Sequence, residues 1–433
     1  MSGAPVLPAV PLQQRLAPSL ARDWPRLPVA EARGTELITT DGRRYLDFCS
    51  GMATVNAGHN HPRVTAAARQ QLERFIHGPL GVVFSEPLAK LAEELPRVMP
   101  GEKDMFFFSC SGSEAVEGAI KLARHVTGRP GLIAFTGGFH GRTLGAVSIT
   151  TSKPKYRARY EPLLGGVYFA PFAYCYRCPF GKERLSCGLD CLEAVRRILG
   201  RVVHPSEVAA MILEPIQGEG GYVVPPREFI TGLREICDHH DILLVFDEIQ
   251  TGFGRTGDWF ASQLFGVVPD VLAVAKAIAS GFPLSAVCAH RDLMGKWTPG
   301  AHGTTFGGNP VAAAAAVATL EVMHREGLPA RARRLGQQAL ARFRDLAGRA
   351  ERLGDVRGEG LMIGLEFVQP GPDRRSDPDF CRRVRERCLE RGVLLYPCGF
   401  DDHVIRFIPP LTVSEEHLEE GIAVLEEAVD GCR

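Results

Sequence analysis

The chain has 433 residues, 45% of them hydrophobic and 23% charged, with 50 Lys and Arg against 50 Asp and Glu. That length is about three times a typical domain of roughly 150 residues, so two or more domains are expected, each with its own core. The balanced charge gives no overall field that would favour nucleic acid or an anionic membrane, which leaves small polar molecules as the default ligands.

No window approaches the roughly 18 unbroken apolar residues of a membrane helix. The opening MSGAPVLPAVPLQQRL is interrupted by Pro5, Pro8 and Pro11 and carries no charged leader. Together these features point to a soluble protein of the cytoplasm. Twelve cysteines spread over so long a chain read mostly as reduced, buried thiols, Cys110, Cys237 and Cys288 among them.

In chain order, the prolines at 5, 8, 11, 18, 25 and 28 interrupt any regular element and predict a wandering arm over residues 1–30. Glu36 to Phe48 gives two short β-prone runs around Asp41-Gly42, the signal of a hairpin. Arm and hairpin, residues 1–60, are expected to join a small domain and to contact a partner subunit.

Over residues 61–325 short apolar runs alternate with helical patterns, predicting an α/β domain whose mostly parallel sheet is covered on both faces. The clearest strands are Met105–Phe108, Leu132–Phe135, Ala209–Leu213, Ile242–Phe246 and Val271–Val274. Between them, Glu114–Val126 places Ala115, Val116, Ala119, Ile120 and Ala123 on one helical face. Residues 326–433 change to charged helices, Pro329–Ala350 and Pro378–Arg391, around a strand at Leu361–Phe367. They read as a second, α+β domain.

Ligands of a parallel α/β sheet gather beyond the carboxyl ends of its strands. After the Met105 strand, Ser111 and Glu114 have capping-box spacing, and the turn through Gly112 sets backbone N–H groups at a helix start, a seat for phosphate. Alone, the same turn reads equally as a plain helix start. Five apolar residues from Ile242 run straight into Asp247 and Glu248, a position that calls for a cationic partner if buried. Solvated acids at a strand end fit that segment as well.

Lys276 is the only charge in Val271–Gly281, so desolvation would leave it as free amine able to attack a carbonyl. The bland alternative is a snorkelling lysine, although Ala275, Ala277, Ala279 and Gly281 leave room for a ligand. Thr136–Thr143 is a glycine-rich loop whose Phe139 or His140 could stack on a flat ring and whose Arg142 could hold a carboxylate, or an ordinary loop with a surface arginine.

These four segments, with Glu214–Gly221, Asp247–Thr256, His302–Pro310 and Arg406–Thr412 in the same order, resemble the class III aminotransferases, pyridoxal-phosphate enzymes of fold type I. The resemblance runs from about Gly34 to the C-terminus. It implies that Lys276 holds pyridoxal 5'-phosphate as a Schiff base and shuttles a proton, and that Asp247 keeps the ring nitrogen protonated. Gly112 and Ser113 would bind the phosphate, joined by Thr305 from the other subunit of a homodimer that shares its active sites and that could pair further into a tetramer. Phe139, in preference to His140, would stack on the ring, and Gln250 would lie near its O3' side.

For substrates, an amino acid and a keto acid, the resemblance makes Glu219 and Arg406 a switch between half-reactions. Glu219 neutralises Arg406 while an ω-amino acid is bound, and Arg406 swings to the α-carboxylate of glutamate or 2-oxoglutarate; Glu214 lies in the same motif as Glu219. Arg142 would take the distal carboxylate. Ornithine-type enzymes place a tyrosine where this chain has Met52, which favours a 4-aminobutyrate-like donor over ornithine. A racemase or epimerase of the same family is the competing expectation, since returning the proton to Cα needs little change in sequence.

One stretch departs from the pattern. Cys175, Cys178, Cys187 and Cys191 fall within Tyr174–Cys191 and are candidate ligands for a structural zinc ion or iron–sulfur cluster, with a thiol-rich loop or a pair of disulfides as the alternatives.

Overall fold

The structure is a computed structural model that describes residues 17–20 and 27–432. The expected arm lies largely outside the described residues, as does the opening segment read for a leader. The hairpin forms where Asp41-Gly42 indicated. Strands β2 (Glu36–Thr39) and β3 (Arg44–Asp47) pair antiparallel, β1 (Val29–Arg33) adds to β2, and β13 (Val393–Leu394) from the C-terminal region pairs parallel with β3.

The centre of the molecule is a seven-stranded sheet of β4 (Met105–Ser109), β5 (Gly131–Phe135), β6 (Val167–Ala170), β7 (Val208–Leu213), β8 (Leu243–Asp247), β9 (Val271–Val274) and β10 (Ser285–Ala289), in the order β4-β10-β9-β8-β7-β5-β6. Alternation along each strand explains the unbroken apolar runs. Phe135, Met211, Leu213, Leu244, Phe246 and Leu272 enter one core, and Leu132, Ala134, Ile212, Val245 and Ala273 enter the other. The second core is closed by helix Gly112–Thr127, whose Ala115, Val116, Ala119 and Ile120 face the sheet as their spacing predicted. Gly118 belongs to the same contact, since a Cβ there would stand 2.8 Å from Val287 Cγ2.

Two strands of this sheet escape the apolar-run criterion, and one changes its character. β10 runs antiparallel to both β4 and β9, so the sheet is mixed. The connection from Ala275 to Leu284 holds only one short 3-10 turn, Lys276–Ala279, and is too brief for the crossover helix that a further parallel strand would need.

The C-terminal region builds an antiparallel sheet of β11 (Leu353–Glu359), β12 (Met362–Phe367), β15 (Val404–Phe407) and β14 (Tyr396–Cys398). The expected helices form as Leu328–Ala347 and Pro378–Glu390. β11 was hidden by its composition, because LGDVRGE alternates charge and glycine with few apolar residues. Among the described residues, no helix is long and apolar enough to cross a membrane.

One buried cation ties these regions together. Arg255 is fully buried; its Nη1 donates to the carbonyls of Leu361 (3.0 Å) and Pro409 (2.6 Å), and its Nη2 to Asn56 Oδ1 (2.6 Å). Burial lowers the guanidinium to about 10. Arg255→Met would strand three acceptors at once and is expected to destabilise the protein by about 3 kcal/mol, read as a fall in thermal midpoint. An unchanged midpoint would show that these bonds are replaceable by water.

Candidate active site

Register brings the predicted strand ends to one place. β8 lies between β7 and β9, with Leu213 opposite Phe246 and Asp247 opposite Ala273. Asp247, Glu214 after β7 and Lys276 after β9 therefore leave the sheet at the same edge. The Thr136–Thr143 loop follows β5 and the Ser111 turn follows β4. Together they line a cavity of about 380 Å³. Of the residues expected there, Gly112, Ser113, Phe139, His140, Arg142, Glu214, Asp247, Gln250 and Lys276 all face it.

Lys276 sits at φ +47°, a region that costs a non-glycine residue about 1–3 kcal/mol and persists only where the surroundings enforce it. Here they do, because Ala275, Ala277, Ile278 and Ala279 are all buried. Burial lowers its ammonium to about 8; Asp247 and Glu214 oppose that fall, and Arg406 adds to it.

Asp247 is held on both oxygens. Ile249 N donates to Oδ1 at 3.1 Å, and His140 Nδ1 lies 2.7 Å from Oδ2. Burial works against a charge on His140, but Asp247 outweighs it and raises the imidazole above its ordinary value. This contact bears on the choice between Phe139 and His140: the His140 ring is committed to Asp247 and buried, which leaves Phe139, of the two, as the ring free on the cavity wall.

Glu248, which sequence could not separate from Asp247, has another occupation. Its carboxylate accepts from Thr251 Oγ1 (2.9 Å) and from the N–H groups of Ala261 (2.6 Å) and Ser262 (2.8 Å), at the start of helix Ala261–Phe265. Glu214 is similarly engaged, accepting from Phe139 N at 2.8 Å and Gly218 N at 2.9 Å, and burial raises it to about 7. It braces two loops of the cavity that it also lines.

At the anion seat, Ser111 Oγ accepts from Glu114 N (3.3 Å) and donates to Glu114 Oε2 (2.9 Å), fixing the first turn of the sixteen-residue helix. The glycine loop lies directly over this turn. Gly141 has φ +127°, and a Cβ on it would stand 2.1 Å from Ser113 Oγ.

The remaining expected residues lie outside the cavity lining. Arg406 and Glu219 form an ion pair beside it, close enough for both charges to act on Lys276. Met52 is half-buried in a turn while Thr54, two residues on, reaches the cavity, and Thr305 is exposed. Sequence reasoning missed Tyr156, which donates to Glu219 Oε1 at 2.9 Å and carries the Arg142 guanidinium 4.8 Å above its ring. It also missed Phe282 and Pro283 on the wall, for which the apolar turn after Gly281 was the available signal.

An amine, a carboxylate and a helix N-terminus around one cavity suit a flat aldehyde-bearing ring with a basic nitrogen and a phosphate. Two buried polar atoms of the lining, Gln250 Oε1 and His140 Nε2, have no hydrogen-bond partner among the described residues, as expected where a polar ligand completes the site.

In the structure the four cysteines are not gathered into a metal-ligand geometry. Cys175, Cys178, Cys187 and Cys191 surround a separate small cavity with Tyr174, Phe180 and Pro226, and all four are free thiols. Among the described residues, no group of three or more His, Cys, Asp and Glu is placed to hold a metal ion. Apolar neighbours share the space, and burial pushes the Cys191 thiol up to about 11.

Comparison with known proteins agrees with this geometry. The model of the family "Aminotransferase class-III" matches residues 20–429. A 5-aminovalerate aminotransferase of Pseudomonas aeruginosa is 39% identical over 93% of this chain and 93% of its own length. A leucine/methionine racemase of Thermococcus litoralis is 40% identical over 96% of this chain and 93% of its own. Among solved structures, an amine transaminase from an uncultivated Pseudomonas species, in its pyridoxal phosphate-bound form, superposes with a TM-score of 0.89 at 32% identity, covering 96% of this chain and 98% of that one. The chain belongs to the class III aminotransferases, enzymes of the α/β fold type I that move amino groups with pyridoxal phosphate as cofactor.

Proposed function

We propose that this aminotransferase takes the amino group of an ω-amino acid, of the 4-aminobutyrate and 5-aminovalerate kind, and delivers it to 2-oxoglutarate in two alternating half-reactions of a ping-pong cycle. The observation that carries this reading is the Arg406–Glu219 pair beside the Lys276 cavity. An ω-amino acid has no carboxylate next to its amine, so a bare Arg406 would be a buried, unpaired cation; Glu219 cancels it. Glutamate or 2-oxoglutarate brings an α-carboxylate that can take the guanidinium in place of Glu219. Arg142, exposed at the mouth and resting on Tyr156, serves the distal carboxylate in both half-reactions. The 5-aminovalerate relative supports the same donor class.

When bound, pyridoxal phosphate supplies an aldehyde for an amine to capture and a ring that accepts electron density from the substrate carbon. Lys276 is the amine and the base that moves the substrate proton. Asp247, oriented by His140, keeps a protonated ring nitrogen in place. Gly112 and Ser113 would hold the phosphate, and Phe139 and Gln250 would help to bind the ring, as their place in the cavity lining supports. The working form is a homodimer in which Thr305 serves the phosphate of the partner subunit, a reading supported by its exposure and its place outside its own cavity lining. Residues 61–325 act as the cofactor domain; residues 1–60 and 326–433 act as the small domain, supported by the pairing of β3 with β13. Twelve free cysteines suit the reducing cytoplasm. Met52, with no hydroxyl to offer an α-amino acid head, supports the aminobutyrate type over ornithine.

A second reading, racemisation, is favoured by the racemase relative. Incubating the holoenzyme with 4-aminobutyrate or 5-aminovalerate separates the two: turnover is expected only when 2-oxoglutarate is present. Loss of optical rotation from an α-amino acid without any keto acid would instead establish the racemase. Lys276→Ala is expected to lower kcat by about a thousand-fold or more, and retained turnover would displace Lys276 from the mechanism.

The depressed Lys276 also has a pH signature. Its reactive free amine appears above about 8, against about 10.4 for an ordinary lysine. Uptake of pyridoxal phosphate by cofactor-free enzyme, followed by absorbance, should therefore rise with pH and level off just above the lower value. A rate still climbing at the ordinary lysine value would contradict the buried amine.

A further inference from the structure

Glu219 is contacted by more than its expected partner. Arg406 holds Oε2, whereas Lys153 Nζ lies 3.0 Å from Oε1, the oxygen that also accepts from Tyr156. Lys153 is buried, and its ammonium is also paired with Asp402, in the turn where Gly399 N donates to the Glu219 carbonyl at 2.9 Å. Burial opposes the charge on Lys153, but the two carboxylates outweigh it and hold the ammonium well above its ordinary value. Arg406 has a further anchor in the carbonyl of Pro397, to which its Nε (3.1 Å) and Nη2 (2.8 Å) both donate. The cluster thus pairs the buried cations Arg406 and Lys153 with two carboxylates, and the exposed Lys155 adds a looser contact to Asp402 at 3.9 Å.

We propose that Lys153 is the positioning residue that lets Glu219 release Arg406, and so sets how readily the enzyme admits substrates bearing an α-carboxylate. This rests on the ω-amino reading above. With Arg406 turned to a substrate carboxylate, Glu219 keeps a full cation on its other oxygen and remains an ion. Without Lys153, the same movement would leave a largely buried carboxylate with only the Tyr156 hydroxyl, a state costly enough to hold Arg406 in place. Lys153 therefore biases a two-state arrangement without touching the reacting atoms.

The test uses the full-length holoenzyme and follows each half-reaction separately by cofactor absorbance, together with the dissociation constant of glutarate, an unreactive five-carbon diacid, by calorimetry. Lys153→Met is expected to raise the KM for 2-oxoglutarate and for glutamate, and the glutarate dissociation constant, by about ten-fold or more, while the KM for the ω-amino acid changes by less than about three-fold. Lys153→Arg should restore all three. Adding Glu219→Gln to Lys153→Met should remove most of the penalty, because the carboxylate that needed a counter-charge is gone. If Lys153→Met does not fold, Lys153→Gln should show the same selective loss. Equal losses in both half-reactions, or unchanged glutarate binding, would overturn the role of Lys153. A wild-type enzyme that reacts with 2-oxoglutarate but never with an ω-amino acid would overturn the ω-amino reading itself, whatever the Lys153 variants show.

Discussion

The arrangement depends on keeping an amine out of water next to a carboxylate. Lys276 leaves β9 into a turn of buried alanines and isoleucine, and Asp247 ends the neighbouring β8, so the two charges share a desolvated space. Such a pair persists only when every remaining valence is satisfied. The surrounding loops do that work for Asp247 through His140 and the Ile249 amide, and for Glu214 through two backbone N–H groups. The parallel register of β7, β8 and β9 makes it possible, since it delivers three adjacent strand ends to one edge of the sheet.

A second layer of charge stands behind the first. Arg406 and Asp402 come from β15 and the turn before it, Glu219 and Lys153 from segments far away in the chain, and the four charges balance. The inner pair governs cofactor chemistry, while the outer cluster meets substrate carboxylates. Lys276 feels both, because Arg406 depresses its ammonium and Glu219 supports it.

How much of this was legible in the sequence follows from the range of the interactions. Strands buried on both faces announce themselves as apolar runs, so β5, β7, β8 and β9 were visible, as was the helix whose alanine and valine face spaces itself at 3 and 4 residues. β6 and β10 were not singled out, and β11 was masked by charge. Lys276 and Asp247 stood out because each interrupts an apolar segment. Lys153 and Tyr156 did not, because their partner Glu219 is more than sixty positions away, and nothing local marks a lysine that will be buried. His140 was noticed for its ring, whereas its bond to Asp247 depends on sheet order. Asp247 and Glu248 were indistinguishable until the start of a later helix claimed the second of them.

Arg255 carries an implication for biosynthesis. The segment that ends β8 with Asp247 continues to this guanidinium, whose acceptors come from Asn56, Leu361 and Pro409. The first and last stretches of the polypeptide therefore converge on the loop that frames the cofactor carboxylate. Until the final third of the protein is made, Arg255 has Asn56 but not the carbonyls of Leu361 and Pro409, so the loop after Asp247 is fully anchored only once the C-terminal region has packed against the central sheet.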